Sequence, residues 1–319
     1  MRQIELLDKR LNYFLNELPR FLKKEFLNYR SLSQKRTNNK QVNNDLWHQP
    51  YWLLLPVWLV KHYTKSRSLP HPKKKFLNDI LWAQYSLYYC IRIQDDLFDS
   101  HVMTPSLIFI SDQFLFEAER VLSQYFDRKS KFWYIYRDCI QETTRAIVQV
   151  DRLQQFPHSS KRKYINGYVR VNALFTIGPA AVCLRERRMK DFVHIKKFIQ
   201  YLSVANQILD DFQDIVEDLQ RKRYNYAAVC LLRVNSKSTA NYKRPLNQML
   251  NAMVFSPTGM EILEEVQIYV KNAFDALEPI GLPRMNALSR IYQRYLADMQ
   301  NNLHTHRVKI IFNKTLYHK

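Results

Sequence analysis

Only four of the 319 residues are glycine, where average usage near 7% would supply roughly twenty-two. Hairpin turns and phosphate-cradling loops depend on the positive φ angles that glycine adopts at no steric cost. A β-rich or Rossmann-like chain is therefore disfavoured, and no glycine-rich nucleotide loop is present. The composition predicts an all-α protein.

Apolar residues recur at helical spacing between polar or proline-bearing breaks at "SQKRTNNKQVNND", "SRSLPHPKKK", "QQFPHSSKRK", "NSKSTANYKRP" and "EPIGLPR". This pattern predicts about ten helices in one domain over residues 1–305, followed by a basic tail at 306–319. Thr104-Pro105 and Ser256-Pro257 each read as a capping hydroxyl before a proline at the first helical position. The segment "MRQIELLDKRLNYFLNELPRFLKKEF" mixes charges at helical spacing and lacks the apolar core of a signal peptide. The longest apolar run, "YWLLLPVWLV", is half the length of a membrane span. Cys90, Cys139, Cys183 and Cys230 lie far apart without a C-x-x-C pair, as expected of buried free thiols. A cytoplasmic protein is expected, and 49 Lys and Arg against 29 Asp and Glu make peripheral contact with an anionic membrane compatible with that location.

Acidic residues are concentrated in two places. In "FLNDILWAQYSLYYCIRIQDDLFD", read as a helix from about Phe76 to Asp99, Asp95 and Asp99 share a face and Asp96 flanks it. Like charges one turn apart destabilise a helix, so something must neutralise them. Back along that face come Arg92, Ile91, Tyr88, Gln84 and Leu81. In "NQILDDFQDIVEDLQ", Asp210, Asp214 and Asp218 follow at four-residue steps, flanked by Asp211 and Glu217. An amphipathic helix facing water would explain the spacing alone. It does not explain why residues 198–220 hold no Lys or Arg, where 49 in 319 would place about 3.5. Hard oxygen donors gathered this way suit Mg²⁺, which keeps waters and takes further ligands from phosphate.

At these residues the chain resembles the class I isoprenoid synthases, which include prenyl diphosphate synthases, terpene cyclases, and squalene and phytoene synthases. "DDLFD" (Asp95, Asp96, Asp99) is similar to their first aspartate-rich motif, and "DDFQD" (Asp210, Asp211, Asp214) to the second. The run "QDIVEDLQRKRYNYA" also resembles the second motif of the phytoene synthase branch, with Asp214 and Asp218 as its aspartate pair. The resemblance implies a helical barrel around a central apolar cavity with both motifs at its mouth. It implies seven metal ligands, Asp95, Asp96, Asp99, Asp210, Asp211, Asp214 and Asp218, of which Asp95, Asp96, Asp210 and Asp214 would be catalytic. Three Mg²⁺ ions would hold the diphosphate of an allylic prenyl substrate and assist its departure. Leu81, Gln84, Tyr88, Ile91, Asn172 and Gln207 would line the cavity, and Arg170, Arg221, Arg223, Arg294 and Tyr295 would contact the diphosphate. A homodimer is compatible with this fold.

The branch is read from what surrounds the motifs. Chain-elongating synthases usually carry paired arginines after the first motif, where "SHVMTPSLIF" stands here. Their lysine-threonine pair is not evident in "YINGYVRVNALFTIGP" either. Many terpene cyclases carry a late Arg-Tyr pair, as "SRIYQRY" does at Arg294 and Tyr295. Cyclisation or elimination of a farnesyl or geranylgeranyl diphosphate is therefore the first expectation. Coupling of prenyl units, head-to-head or by elongation, is the second. A non-catalytic basic protein binding nucleic acid or an anionic membrane ranks third, because acidic stripes would repel a polyanion and no recognition segment stands out.

Overall fold

The computed structural model describes residues 2–39, 50–65, 69–98, 104–234 and 256–316, with side chains placed for 5–33, 50–65, 69–98, 104–232 and 256–305. Among them there are helices and no strands. The elements are α1 (Arg2–Glu17), α2 (Arg20–Asn39), α3 (Tyr51–Thr64), α4 (His71–Phe98), α5 (Leu107–Leu122), α6 (Lys131–Gln154), α7 (Lys161–Val171), α8 (Ile177–Arg185), α9 (Met189–Gln220), α10 (Tyr226–Val234), α11 (Thr258–Leu277) and α12 (Met285–Leu316). The expected break at residues 33–45 starts later than its polar composition suggests, since α2 stays helical to Asn39. The break at 235–245 lies outside the described residues. α5 starts after Ser106, and Thr104 and Pro105 instead form the turn that leads into it. Before α11, the Ser256 hydroxyl accepts the Thr258 N–H at 3.3 Å, but the helix begins one residue later than the capping signal predicts, with Pro257 at the N-cap position.

Glycine scarcity has a local consequence. The left-handed conformation that commonly ends a helix falls on Lys65, Arg187 and Lys222, with φ of 50°, 57° and 58°. Each costs about 1–2 kcal/mol relative to a right-handed residue. Gly178 is required for a different reason. A Cβ there would lie 2.7 Å from Gln84 Oε1 and 3.1 Å from Pro56 Cγ.

The chain packs as two compact units, Met1–Ile140 with Leu174–Val193, and Gln141–Ala173 with His194–Lys319. In the first, α4 is the central helix and packs on α5, α3, α8 and α1. Leu7, Leu11, Phe14 and Leu15 form the apolar stripe of α1. Phe14, Phe26 and Phe114, each buried, contribute roughly 1.5–3 kcal/mol apiece to this core. Arg10 fixes α1 to α4 through a 2.6 Å ion pair with Asp79, and Trp82 donates to Glu117 of α5 at 2.6 Å. In the second unit α10 packs on α7 and α11, and α11 on α12. The backbone of 306–316 continues α12 as helix instead of forming a separate tail.

All four cysteines are buried and free. The segment Lys161–Arg185 is long and apolar enough to cross a membrane, but 72% of its apolar window is buried inside the protein. It also breaks at a 3₁₀ turn, Ala173–Thr176.

Candidate functional site

The first acidic cluster closes α4, in the first unit. Asp95 is partly exposed, with 36% of its side chain accessible, whereas Asp96 is almost fully enclosed at 1%. Two successive residues on a helix point about 100° apart, so one of an adjacent pair turns inward when the other faces out. The Asp96 carboxylate is retained inside by Tyr29 of α2, whose hydroxyl donates to Oδ2 at 2.7 Å. The Arg92 guanidinium lies 3.3 Å from Asp96 Oδ1 and 3.7 Å from Asp95 Oδ2. Burial, followed by the charge of Asp96, pushes the Tyr29 hydroxyl well above its ordinary range, so it stays a donor. Asp99 lies outside the described residues.

Below this cluster runs an aromatic wall. The Tyr88 ring stacks on Trp52 of α3 at 4.8 Å, and Trp52 stacks on Phe175 at 4.7 Å. Ile91 and Tyr88 are half-buried beside it. Leu81 and Gln84 are not positioned as a cavity lining would require. Leu81 is 2% exposed and Gln84 1%. The Gln84 side chain is instead a strut: its Oε1 accepts from the Gly178 N–H at 2.8 Å and its Nε2 donates to the Leu174 carbonyl at 3.4 Å. A buried amide is expected to be satisfied in this way.

The second acidic cluster lies on α9, in the second unit. Asp210, Asp214 and Asp218 are half-buried along one stripe, while Asp211 is 6% exposed and turned inward. Asp211 Oδ2 accepts from the Tyr168 hydroxyl of α7 and from the Tyr226 N–H at 2.7 Å, at the first residue of α10. Burial pushes the Asp211 carboxyl well above the usual carboxylate range, against the pull of these two donors. Its role here is that of an internal anchor, which narrows the outward-facing set to Asp210, Asp214 and Asp218. Asn225 completes the arrangement. Its Oδ1 accepts the Ala228 N–H at 3.0 Å and so caps α10, and its Nδ2 donates to the Asp211 carbonyl at 2.8 Å and to Asp218 Oδ2 at 2.7 Å. Burial raises the Asp218 carboxyl, opposed by Asn225 and Arg223 and assisted by the charges of Asp214 and Asp210.

The basic residues expected at a diphosphate are distributed differently. Arg223 folds back to α6, 3.3 Å from Asp151 Oδ1 and 2.9 Å from Gln154 Oε1. The cause is local: the αL turn at Lys222 reverses the chain after α9. Arg221 pairs with Glu217 at 2.8 Å on the exposed face. Arg170 donates to its own helix at the Asn166 carbonyl, 2.9 Å, and to Gln149 Oε1 at 3.3 Å. Arg294 is exposed, whereas Tyr295 is buried against Gln213, which donates to its hydroxyl. Asn172 bonds to Ser203 Oγ at 2.9 Å, and Gln207 is half-buried on the same helix as the acidic stripe. A cleft of about 580 Å³ in this unit is bordered by Arg145, Gln149, Arg152 and Lys163.

Tyr29, Tyr168 and Asn225 were not legible as site residues, because nothing in their local sequence marks the long-range partner. Arg92 was on the traced face, and its spacing of three and four residues from Asp95 and Asp96 is the signal that identifies it.

The helical architecture is the fold of the class I isoprenoid synthases. Octaprenyl pyrophosphate synthase from Helicobacter pylori is similar over 92% of this chain and 98% of its own, with TM-score 0.69 and 12% identity. Geranylgeranyl pyrophosphate synthetase from Pyrococcus horikoshii is similar over 92% of this chain and 95% of its own, with TM-score 0.67 and 11% identity. A polyprenyl synthase from Caulobacter crescentus, complexed with calcium and isoprenyl diphosphate, is similar over 81% of this chain and 90% of its own, with TM-score 0.58 and 12% identity. No protein-family model matches the sequence, and no curated protein matches it.

Proposed function

We propose that the protein is a metal-dependent enzyme that ionises an allylic prenyl diphosphate and couples the resulting prenyl group to a second isoprenoid unit. The observation that carries this reading is the acidic stripe of Asp210, Asp214 and Asp218, set in a stretch of sequence (198–220) without Lys or Arg, within an isoprenoid synthase fold. The names of the similar structures, octaprenyl and geranylgeranyl pyrophosphate synthases and a polyprenyl synthase bound to isoprenyl diphosphate, favour coupling over the cyclisation that the sequence put first. The missing arginine pair after Ser100 still speaks against ordinary elongation with isopentenyl diphosphate, which leaves the acceptor as the open variable of the assay.

The donor chemistry fits Mg²⁺. Three half-buried carboxylates at one-turn spacing offer hard oxygens, although among the described residues no three His, Cys, Asp or Glu side chains converge on one ion. An ion of this kind binds through one or two carboxylates and completes its shell with water and substrate phosphate. One or two neighbouring carboxylates among Asp210, Asp214 and Asp218 would hold it. When bound, it neutralises charge developing on the departing diphosphate. The aromatic wall of Tyr88, Trp52 and Phe175 offers π faces to a carbocation and excludes water from it.

The test is turnover. The protein is incubated with geranyl, farnesyl or geranylgeranyl diphosphate, alone and with isopentenyl diphosphate, in Mg²⁺ or EDTA, and pyrophosphate release and products are followed. Coupled products in Mg²⁺ and none in EDTA are expected, with Asp210→Asn and Asp214→Asn each slowing the reaction by orders of magnitude. Hydrocarbons formed from a single substrate would move the assignment to cyclisation. No metal-dependent release from any substrate would refute the enzyme reading.

A further inference from the structure

Arg92 sits one turn before the paired aspartates, and helix geometry alone lays its guanidinium across both of them. Nη1 is 3.7 Å from Asp95 Oδ2 and Nη2 is 3.3 Å from Asp96 Oδ1. Asp96 Oδ2 accepts from the Tyr29 hydroxyl at 2.7 Å, and Oδ1 faces the Arg92 guanidinium as an ion pair. With 1% of its side chain exposed, Asp96 can ligate an external ion only by leaving the Tyr29 hydrogen bond and the Arg92 ion pair. Asp95 alone is accessible, and a cation already lies beside it. The Arg92 side chain as a whole is 37% exposed. It carries five N–H donors in a planar fork, a geometry matched to phosphate oxygens.

We propose that Arg92 takes the place of a divalent cation at the first aspartate pair: Asp95 and Asp96 fix the guanidinium, and its outward N–H groups bind the substrate diphosphate. This rests on the prenyl diphosphate reading above. Asp96 and Tyr29 are positioning residues in this scheme, and Arg92 is the residue that touches the ligand. One of the pair's two charges is offset before any ion arrives, which reduces the like-charge repulsion that two adjacent carboxylates create.

The experiment counts ions. Mn²⁺ binding to the full chain is followed by electron paramagnetic resonance of the free ion, with inorganic pyrophosphate as the anionic probe. Pyrophosphate affinity is measured separately by calorimetry without metal. Arg92→Gln is expected to bind one more Mn²⁺ per chain than the wild type, and that additional ion should vanish when Asp95→Asn is combined with it. Metal-free pyrophosphate binding should weaken about tenfold in Arg92→Gln, the loss of one charge-assisted contact. Arg92→Lys should keep the wild-type ion count, with weaker pyrophosphate binding because the fork is gone. Equal ion counts in the wild type and Arg92→Gln would overturn the proposal. So would loss of one ion on Asp95→Asn alone, an arm that stands even if Arg92→Gln fails to fold by circular dichroism. If the ion and pyrophosphate results are as expected but no prenyl diphosphate is turned over, the functional reading fails and the role of Arg92 as an anion-binding cation stands.

Discussion

Asp211 separates what the aspartate-rich pattern implies from what the fold does with it. As a metal ligand it would be as indispensable as Asp210; as an internal anchor it can be replaced by any group that accepts the same two hydrogen bonds. Asp211→Asn retains an acceptor for the Tyr168 hydroxyl and the Tyr226 N–H, so turnover should stay within a few-fold of wild type. Asp211→Ala leaves both donors buried and unsatisfied. At about 1–3 kcal/mol each, the loss is about 2–6 kcal/mol. That is enough to lower the thermal midpoint markedly, because whole domains are stable by only about 5–15 kcal/mol.

The pH dependence gives an independent readout of the same carboxyl. Its folded pKa lies well above the ordinary 3.8. Between those two values the native state keeps a proton that the unfolded chain has released, so stability falls as pH rises, by up to about 1.4 kcal/mol per pH unit. Asp211→Asn lacks that slope and should gain on the wild type as pH climbs from about 4 through the folded pKa. Calorimetric unfolding across pH 4–8, paired with Mg²⁺-dependent pyrophosphate release, measures both arms. The reasoning is refuted if Asp211→Asn abolishes metal-dependent turnover while its unfolding profile matches wild type, since that pattern belongs to a ligand.

Two further substitutions probe the supports of the site. Gly178→Ala forces a methyl against Gln84 Oε1 and Pro56, and should destabilise the first unit by about 1–3 kcal/mol in urea unfolding; an unchanged midpoint would mean that Gln84 is not held at that carbonyl and amide. Asn225→Ala removes the α10 cap and the two donations to Asp211 and Asp218, at a combined cost of about 2–4 kcal/mol. Asn225→Asp keeps the cap but adds a charge 2.7 Å from Asp218, so it should be tolerated at acid pH and destabilising at neutral pH, which a thermal melt at each pH will show.

The helical architecture was legible because it is a compositional property. Scarce glycine and recurring apolar spacing act everywhere along the chain, so local errors at Asn39 or Thr104 do not change the result. The positions of the basic residues were not legible, because each depends on one long-range partner. Arg223 follows the acidic stripe in sequence but meets Asp151 and Gln154 of α6, and Arg170 meets Gln149. Proximity in sequence to a motif selects a cation only when no better carboxylate or amide lies within reach, and sequence does not disclose that competition.

The aspartate pairs show where reading by motif and reading by geometry diverge. In each unit the second member of the adjacent pair is the buried one: Asp96 held by the Tyr29 hydroxyl, Asp211 by that of Tyr168. A helix forces this division, because neighbours about 100° apart cannot both lie on the exposed stripe. What the helix does not decide is which member turns inward; in both units that falls to a tyrosine supplied by another helix. A buried carboxylate without such a donor would be left costly and unpaired. The tyrosines therefore select the outward carboxylate, and on α9, where that carboxylate is the proposed ion ligand, exchanging Asp for Asn should give opposite results, loss of metal-dependent turnover at Asp210 and its retention at Asp211. Equal losses at both would mean that the inward carboxylate leaves its tyrosine when substrate binds.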